Sequence, residues 1–156
     1  MPRMARLNIR TRDGRVEIRD LKGEFTVRTG DGRQWLDGLD GALSAESGDG
    51  RIEVSGRFDR LELHSGDGRI EARVESGSKL ADSWRLRAGD GNIRLRLPKD
   101  LNADLDMHTG DGHIHFDMPL TVQGSARGHD IHGRLNGGGQ SLSIRTGDGS
   151  IRVETL

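Results

Sequence analysis

The tripeptide Gly-Asp-Gly recurs along this chain, and the repeat constrains the fold more than any other feature of the sequence. Its copies are Gly30-Asp31-Gly32, Gly48-Asp49-Gly50, Gly66-Asp67-Gly68, Gly89-Asp90-Gly91, Gly110-Asp111-Gly112 and Gly147-Asp148-Gly149. From Asp13 to Asp67 the aspartates are spaced by 18 residues, and the next intervals are 23 and 21 residues. With Asp130 as a further mark between Asp111 and Asp148, the spacing predicts eight short units of one kind.

Apolar and polar residues alternate on both sides of each repeated tripeptide. Around Asp67, for example, Leu61 and Leu63 come before the turn and Ile70 and Ala72 come after it. A period of two residues indicates a strand with one buried face, and no stretch keeps a helical period. We therefore expect each unit to hold two short strands joined by a tight turn.

Two all-β folds satisfy this pattern, an antiparallel meander with Asp-Gly hairpins and a solenoid whose units stack in parallel. The same residue types recur at the same offsets in unit after unit, which stacking requires and a meander does not. We therefore predict a parallel β-solenoid (β-helix) of about eight coils, roughly 18–23 residues each, as a single repeat domain over residues 1–156. Right-handed coiling is expected because parallel crossovers are right-handed.

We interpret the Gly-Asp-Gly tripeptides as structural turns, not as ligand-binding loops. Glycine permits positive φ at little cost, and an aspartate between two glycines can accept hydrogen bonds from nearby backbone N–H groups. A dinucleotide fingerprint would need a third glycine followed by a helix, and a calcium-binding EF-hand loop would need a final Glu. No cofactor is expected, and calcium between stacked aspartates is the alternative.

Composition excludes several classes of protein. Lys and Arg number 24 and Asp and Glu 25, so the chain lacks the basic excess of a nucleic-acid binder. No apolar stretch is long enough to span a membrane, and the first residues have no apolar segment typical of a signal peptide. Since the chain has no cysteine, the sequence does not indicate a redox compartment.

The repeated units, in which the same residue types recur at the same positions, resemble a family of bacterial β-strand-repeat, adhesin-like proteins of unknown function. The resemblance lies in the repeated Thr/Ser-Gly-Asp-Gly-x-Ile units, in the segment 95–101 (LRLPKDL), and in the segment 135–139 (LNGGG) before the last repeat. It covers nearly the whole chain. It implies a β-solenoid located at the cell envelope, and it implies no catalytic residues.

We expect the chain to be a non-enzymatic structural or adhesive module. Parallel β-helices do include polysaccharide-processing enzymes, so a polysaccharide-binding or polysaccharide-processing protein is the alternative. Catalysis would need clustered carboxylates on one outer face, and Glu46, Glu62, His64 and Asp106 are the candidates. These residues occupy the polar positions of the alternating strand pattern, where a charged side chain is expected simply to face solvent. We therefore assign no catalytic residue.

Trp35 is the candidate contact residue. It occupies a position where other units have Glu, Arg or His, which predicts an exposed indole that could contact a cell-surface glycan or protein. The alternative is that residues 34–36 are shifted and Trp35 is buried.

His113, His115 and His132 are candidate ligands for Zn²⁺ or Ni²⁺, because the spacing places His113 and His132 in one column of adjacent coils. The alternative reading is that histidine replaces arginine in a polar column.

The repeat pattern runs from Leu7-Asn8-Ile9 to Ile151-Arg152-Val153, with no polar cap in the sequence at either end. Terminal repeats of a stack expose unpaired strand edges. We therefore expect self-association through the ends of the array.

Overall fold

The computed structural model describes residues 5–75, 84–98, 101–117, 121–122, 130–135 and 139–155. Within these residues the chain forms fourteen β-strands, and the expected all-β class is confirmed. The strands are β1 (Ala5–Thr11), β2 (Val16–Arg19), β3 (Lys22–Thr29), β4 (Gln34–Ser47), β5 (Ile52–Ser65), β6 (Ile70–Val74), β7 (Trp84–Ala88), β8 (Ile93–Leu97), β9 (Ala103–Thr109), β10 (Ile114–Asp117), β11 (Thr121–Val122), β12 (Asp130–Leu135), β13 (Ser141–Thr146) and β14 (Ile151–Thr155).

Alternating burial along the strands builds one apolar core. In β7, Trp84, Leu86 and Ala88 are buried, whereas Arg85 and Arg87 between them are exposed. The same alternation recurs in the other strands for which burial is described, with breaks in the middle of β4 and β5, and the inward side chains form a single cluster. The predicted period of two is confirmed, and burial of these apolar side chains is the main stabilising contribution.

The strands form two faces of the molecule, which we name by whether they come before or after the Gly-Asp-Gly turns in the chain. The pre-turn face is formed by β1, β3, β7, β13, β9 and β12 with the second halves of β4 and β5. The post-turn face is formed by β2, β6, β8, β14 and β10 with the first halves of β4 and β5. Because β4 and β5 each contain 14 residues, they continue around a corner and join the two faces.

The prediction of a parallel solenoid of about eight consecutive coils is wrong. The sheet is mixed and nearly closed, and β12 runs antiparallel to both β9 and β11. The order of units also departs from the sequence, because β13 lies between β7 and β9, and β14 lies between β8 and β10. Parallel pairing at the predicted 18-residue offset does hold from β1 to β5, for example between Leu7 and Phe25, except at residues 39–41 of β4, where the offset to β5 is 17 residues.

The turn predicted at Asp130 is also wrong. Asp130 lies in β12, where its backbone faces His108 of the antiparallel strand β9. Among the described residues, the aspartate turns stack instead in the order 13, 31, 49, 67, 90, 148, 111. The sequence offered an equally spaced mark at Asp130, but that mark lacks the flanking glycines that close stacking requires.

The glycines of the repeated tripeptide are needed for a reason other than the predicted one. No glycine of these tripeptides has a positive φ. A Cβ on Gly50 would instead overlap the carbonyl oxygen of Gly32, which belongs to the turn stacked beside it. The turns approach so closely because they hydrogen-bond to one another: the N–H of Gly48 donates to the carbonyl oxygen of Gly30 over 2.8 Å.

Five of the described turns, those of Asp13, Asp49, Asp67, Asp111 and Asp148, are capped by the hydroxyl group two residues before the aspartate. The N–H of Gly50 donates to Ser47 Oγ over 2.9 Å, and the N–H of Gly112 donates to Thr109 Oγ1 over 3.1 Å. Thr109 and Thr146 also donate to the neighbouring turn: Thr109 Oγ1 to the carbonyl oxygen of Gly149 over 2.7 Å, and Thr146 Oγ1 to that of Gly91 over 2.8 Å. The Ser/Thr column, not the aspartate, therefore has the capping role that we predicted for aspartate.

Parts of two segments used for the family resemblance, residues 99–100 and 136–138, lie outside the described residues. No helix in the described part of the chain is long and apolar enough to cross a membrane.

Candidate functional site

Trp35 lies on the post-turn face with its side chain 42% exposed. Its neighbours Gln34 and Leu36 in β4 are both fully buried, so alternation directs the indole outward. In the sheet, Trp35 lies between Glu17 of β2 and Glu53 of β5. The structure therefore places Trp35 where the sequence predicted it, and its role in contacting a partner stays a prediction.

The surroundings of Trp35 differ on its two sides. The guanidinium of Arg19, on β2, lies 5.6 Å from the centre of the indole ring, within the range of a cation–π interaction. In the other direction β5, β6 and β8 form a shallow groove of about 230 Å³, whose polar lining includes Glu53, Ser55, Arg73 and Arg96. Arg19 thus restrains the indole from one side, and a ligand could stack on it from the groove.

The groove is lined by charges of both signs, with Glu53 and Glu71 beside the arginines and Glu154 next to them. Arg94 and Arg96 lie 3.3 Å and 3.5 Å from a carboxylate oxygen of Glu154, and Arg152 lies 3.4 Å from the other oxygen of that carboxylate. The post-turn face therefore presents a tryptophan beside paired charges, which suits a ligand with little net charge.

Gln34 is a buried polar residue that the sequence analysis did not single out. Its side chain is fully buried, and its Nε2 donates to Thr29 Oγ1 over 2.9 Å and to the carbonyl oxygen of Glu46 over 2.7 Å. Its Oε1 has no hydrogen-bond partner among the described residues. The signal was available in the sequence, because the other units have Ile or Val at this position.

The stacked turns bring their aspartates into an exposed acidic ladder. The carboxylate of Asp67, and next that of Asp31, raise the pKa of Asp49 above its ordinary value by repulsion. A raised pKa means that the carboxyl of Asp49 binds its proton more tightly in the folded chain than in the unfolded chain. Below the ordinary pKa this carboxyl is protonated in both states, so the repulsion is absent. Stability falls as the pH rises from the ordinary pKa through the raised one, and the cost persists at neutral pH. Calcium between these aspartates stays a prediction.

The three candidate metal-binding histidines are not brought together. His115 of β10 lies beside Arg152 of β14, whereas His132 of β12 lies beside Asp106 of β9, with Nδ1 and Oδ1 3.4 Å apart. The prediction that His113 and His132 occupy the same position in adjacent coils is wrong, because β12 runs antiparallel to β9. In the part of the chain that the structure describes, no group of three or more His, Asp or Glu side chains could hold a metal ion.

The candidate catalytic residues lie on the pre-turn face at ladder positions. Glu46 is paired with Arg28 at 3.5 Å, and Asp106 is the carboxylate paired with His132. Glu62 and His64 both lie on β5, two residues apart. Catalysis of the kind considered would need two carboxylates that face each other. Glu46 and Asp106 are instead each paired with a basic side chain.

Comparison with known proteins gives a family and a fold. A family model described as Toastrack DUF4097 matches residues 3–154. This match is a second finding against the eight-coil solenoid, and it confirms the resemblance at the coarser level of a family of unknown function.

The structure is also similar to the crystal structure of a "putative cell adhesion protein" from Clostridium sporogenes ATCC 15579, with a TM-score of 0.54 and 9% sequence identity. The similarity covers 98% of this chain and 94% of that chain, and at this identity it shows the fold alone. No curated protein matches the chain.

Proposed function

Because the chain belongs to the Toastrack DUF4097 family, we propose that it is a non-enzymatic adhesive module of the bacterial cell envelope that binds a neutral glycan at Trp35. Its fold is shared with a protein described as a cell adhesion protein, which supports an adhesive role and a location at the cell surface. The observation that carries the proposal is the exposed indole of Trp35, restrained by Arg19 beside an open groove.

The chemistry of this groove favours a sugar. An aromatic ring presents a flat apolar surface that a sugar ring can cover, and the flanking polar groups can bond its hydroxyls. In this groove Ser55 can form such hydrogen bonds, and so can Glu53, whose Oε1 also accepts from Arg51 Nη1 over 3.3 Å. Since the carboxylates of Glu53, Glu71 and Glu154 lie among the arginines of this groove, a neutral glycan fits this face better than a charged one.

The glycan prediction is tested by fluorescence in the Trp84→Phe variant, in which Trp35 is the sole tryptophan because the chain has two. Titration with neutral cello-, malto- and chito-oligosaccharides is expected to change Trp35 emission saturably with at least one series. In the chain with both tryptophans, Trp35→Ala is expected to weaken binding of that series by about thirtyfold, the scale of a contact hot spot.

Trp84→Phe serves as the control, because Trp84 is fully buried and its loss should leave affinity unchanged. Equal affinity of the Trp35→Ala variant and the wild type, or no emission change with any saccharide, would refute the glycan site.

We propose self-association as a second property, because β1 is an open strand edge. Among the described residues β1 pairs only with β3, and Leu7 and Ile9 at this edge are half-buried where their counterparts deeper in the sheet are buried. An edge of this kind offers free N–H and C=O groups to a strand of a second copy.

The open edge predicts that the apparent mass in light scattering rises with protein concentration. Asn8→Lys, which adds charge to the outward side of β1, is expected to keep the chain monomeric with its circular dichroism unchanged. A wild-type chain that stays monomeric up to millimolar concentration would refute association through this edge.

A further inference from the structure

A row of four basic or titratable side chains crosses the pre-turn face. His64 of β5, Arg87 of β7, Arg145 of β13 and His108 of β9 are register neighbours in this order. All four are exposed, and neighbouring strands lie about 4.8 Å apart. Arg87 and Arg145 are therefore directly opposed like charges, an arrangement that destabilises a sheet when nothing compensates it.

The two opposed arginines line a groove together with a third. Arg85 lies two residues before Arg87 on the same face, and the three arginines border a groove of about 340 Å³. Ser141 and Ser143 of β13 contribute hydroxyl groups to the same lining. The groove thus combines three guanidinium groups with small hydrogen-bonding side chains.

Arg87 and Arg145 have no acidic register neighbour, because His64, His108 and each other flank them, whereas Arg85 lies opposite Glu62 of β5. Elsewhere in the sheet, arginines pair across strands with glutamates, as Arg28 does with Glu46 and Arg94 with Glu154. Within the described residues Arg85, Arg87 and Arg145 have no ion pair. The carboxylate that lines the groove, Asp106, is paired with His132.

We propose that this groove binds an acidic sugar unit of an anionic polysaccharide, through its carboxylate or sulfate group. A guanidinium presents a planar fork of N–H donors that matches the oxygens of such a group, and an anion between Arg87 and Arg145 would relieve their repulsion. Serine hydroxyls beside the forks suit the hydroxyl groups of a sugar ring.

Other polyanions fit the groove less well. A nucleic acid is disfavoured by the net charge of −1, and the tryptophan in the lining, Trp84, is fully buried and offers no stacking surface. A groove of about 340 Å³ matches the small end of ligand sites, the size of a single sugar unit rather than of an extended surface. The site is on the opposite face from Trp35, so it does not depend on the proposed neutral-glycan site.

The test measures binding of polygalacturonate, dextran sulfate, neutral dextran and a short DNA duplex to the wild type by biolayer interferometry. Any binding of neutral dextran should depend on Trp35 and not on these arginines. We expect binding of at least one anionic polysaccharide. The double variant Arg87→Gln/Arg145→Gln is expected to weaken that binding by at least about tenfold. It should also abolish any rise in melting temperature that the polysaccharide causes in the wild type.

The matched control is Arg10→Gln/Arg28→Gln, which removes the same charge from the same face outside the groove. It should retain nearly wild-type affinity. Because Arg87 and Arg145 repel each other, their double variant should melt no lower than the wild type, which separates lost binding from lost folding. Equal loss in both double variants, preferred binding of DNA, or no binding of either anionic polysaccharide would overturn the proposal.

Discussion

Deletion of residues 139–156 is expected to abolish cooperative folding, although it removes only the last two described strands. β13 and β14 lie inside the sheet, because β13 pairs with both β7 and β9 and β14 pairs with both β8 and β10. Their removal would separate β7 and β8 from β9 and β10. We expect the truncated chain to show no sigmoidal thermal transition by circular dichroism and no dispersed amide signals by NMR.

The size of this effect follows from the core that the two strands contribute. Leu142, Ile144, Ile151 and Val153 are each fully buried. Burial of one such side chain stabilises the fold by about 1.5–3 kcal/mol, so these four contribute about 6–12 kcal/mol. The free energy of unfolding of a whole domain is only about 5–15 kcal/mol, which leaves little or nothing after the deletion.

A deletion of similar length at the other end of the chain is the control. Removing residues 1–20 takes away β1 and β2, which lie at an edge and pair only with β3 and β4 among the described residues. This variant is expected to fold cooperatively with a lower melting temperature. If the C-terminal deletion also melted cooperatively, with a similar fall in melting temperature, β13 and β14 would lie at an end of the sheet. Their placement between β7 and β9 and between β8 and β10 would then be wrong.

The local structure could be predicted from the sequence, whereas the order of the units could not. Alternation around each Gly-Asp-Gly turn indicated the inward side of the strands that flank it, because a one-residue slip would expose the apolar set. All units carry nearly the same columns, however, so a strand such as β13 fits beside β7 as well as any sequential neighbour would. When like positions are interchangeable, pairing order is decided by the connecting segments, and the sequence pattern does not report on those.

The binding surfaces show the same division between local and long-range information. Exposure of Trp35 followed from its place in one strand, and the structure has it at that position. The opposition of Arg87 and Arg145 depends on β13 lying next to β7, although the two residues are 58 positions apart in sequence. A cluster of this kind becomes visible only when the inserted strand order is known.

Gly50→Ala is expected to lower the free energy of unfolding by about 2–3 kcal/mol or more, the cost of overpacking a site that cannot relax easily. The added Cβ would overlap the backbone carbonyl of Gly32 in the neighbouring turn, so one turn must move away from the other. Such a shift would also lengthen the hydrogen bond of 2.8 Å from the N–H of Gly48 to the carbonyl oxygen of Gly30. Urea denaturation followed by circular dichroism measures the loss.

Asp49→Asn in the same turn is the first comparison. The side chain of Asp49 is exposed, and repulsion from Asp67 and Asp31 raises its pKa. Removing the charge should therefore leave stability unchanged or slightly raise it at pH 7, and any gain should vanish at about pH 3, where aspartates are protonated in both states. A severe loss in this variant would give the carboxylate a structural or metal-binding role that the hydrogen bonds do not show.

Gly14→Ala separates close stacking from backbone conformation as the reason for glycine. Gly14 holds the same place in its turn as Gly50, but a Cβ there would meet only the side chain of Thr11, whose Oγ1 would lie 2.8 Å away. A side chain can rotate aside where a stacked backbone cannot, so Gly14→Ala should cost much less than Gly50→Ala. If both substitutions destabilised the chain equally, the tripeptide would require glycine for its own conformation, and the stacking of turns would not explain the repeat.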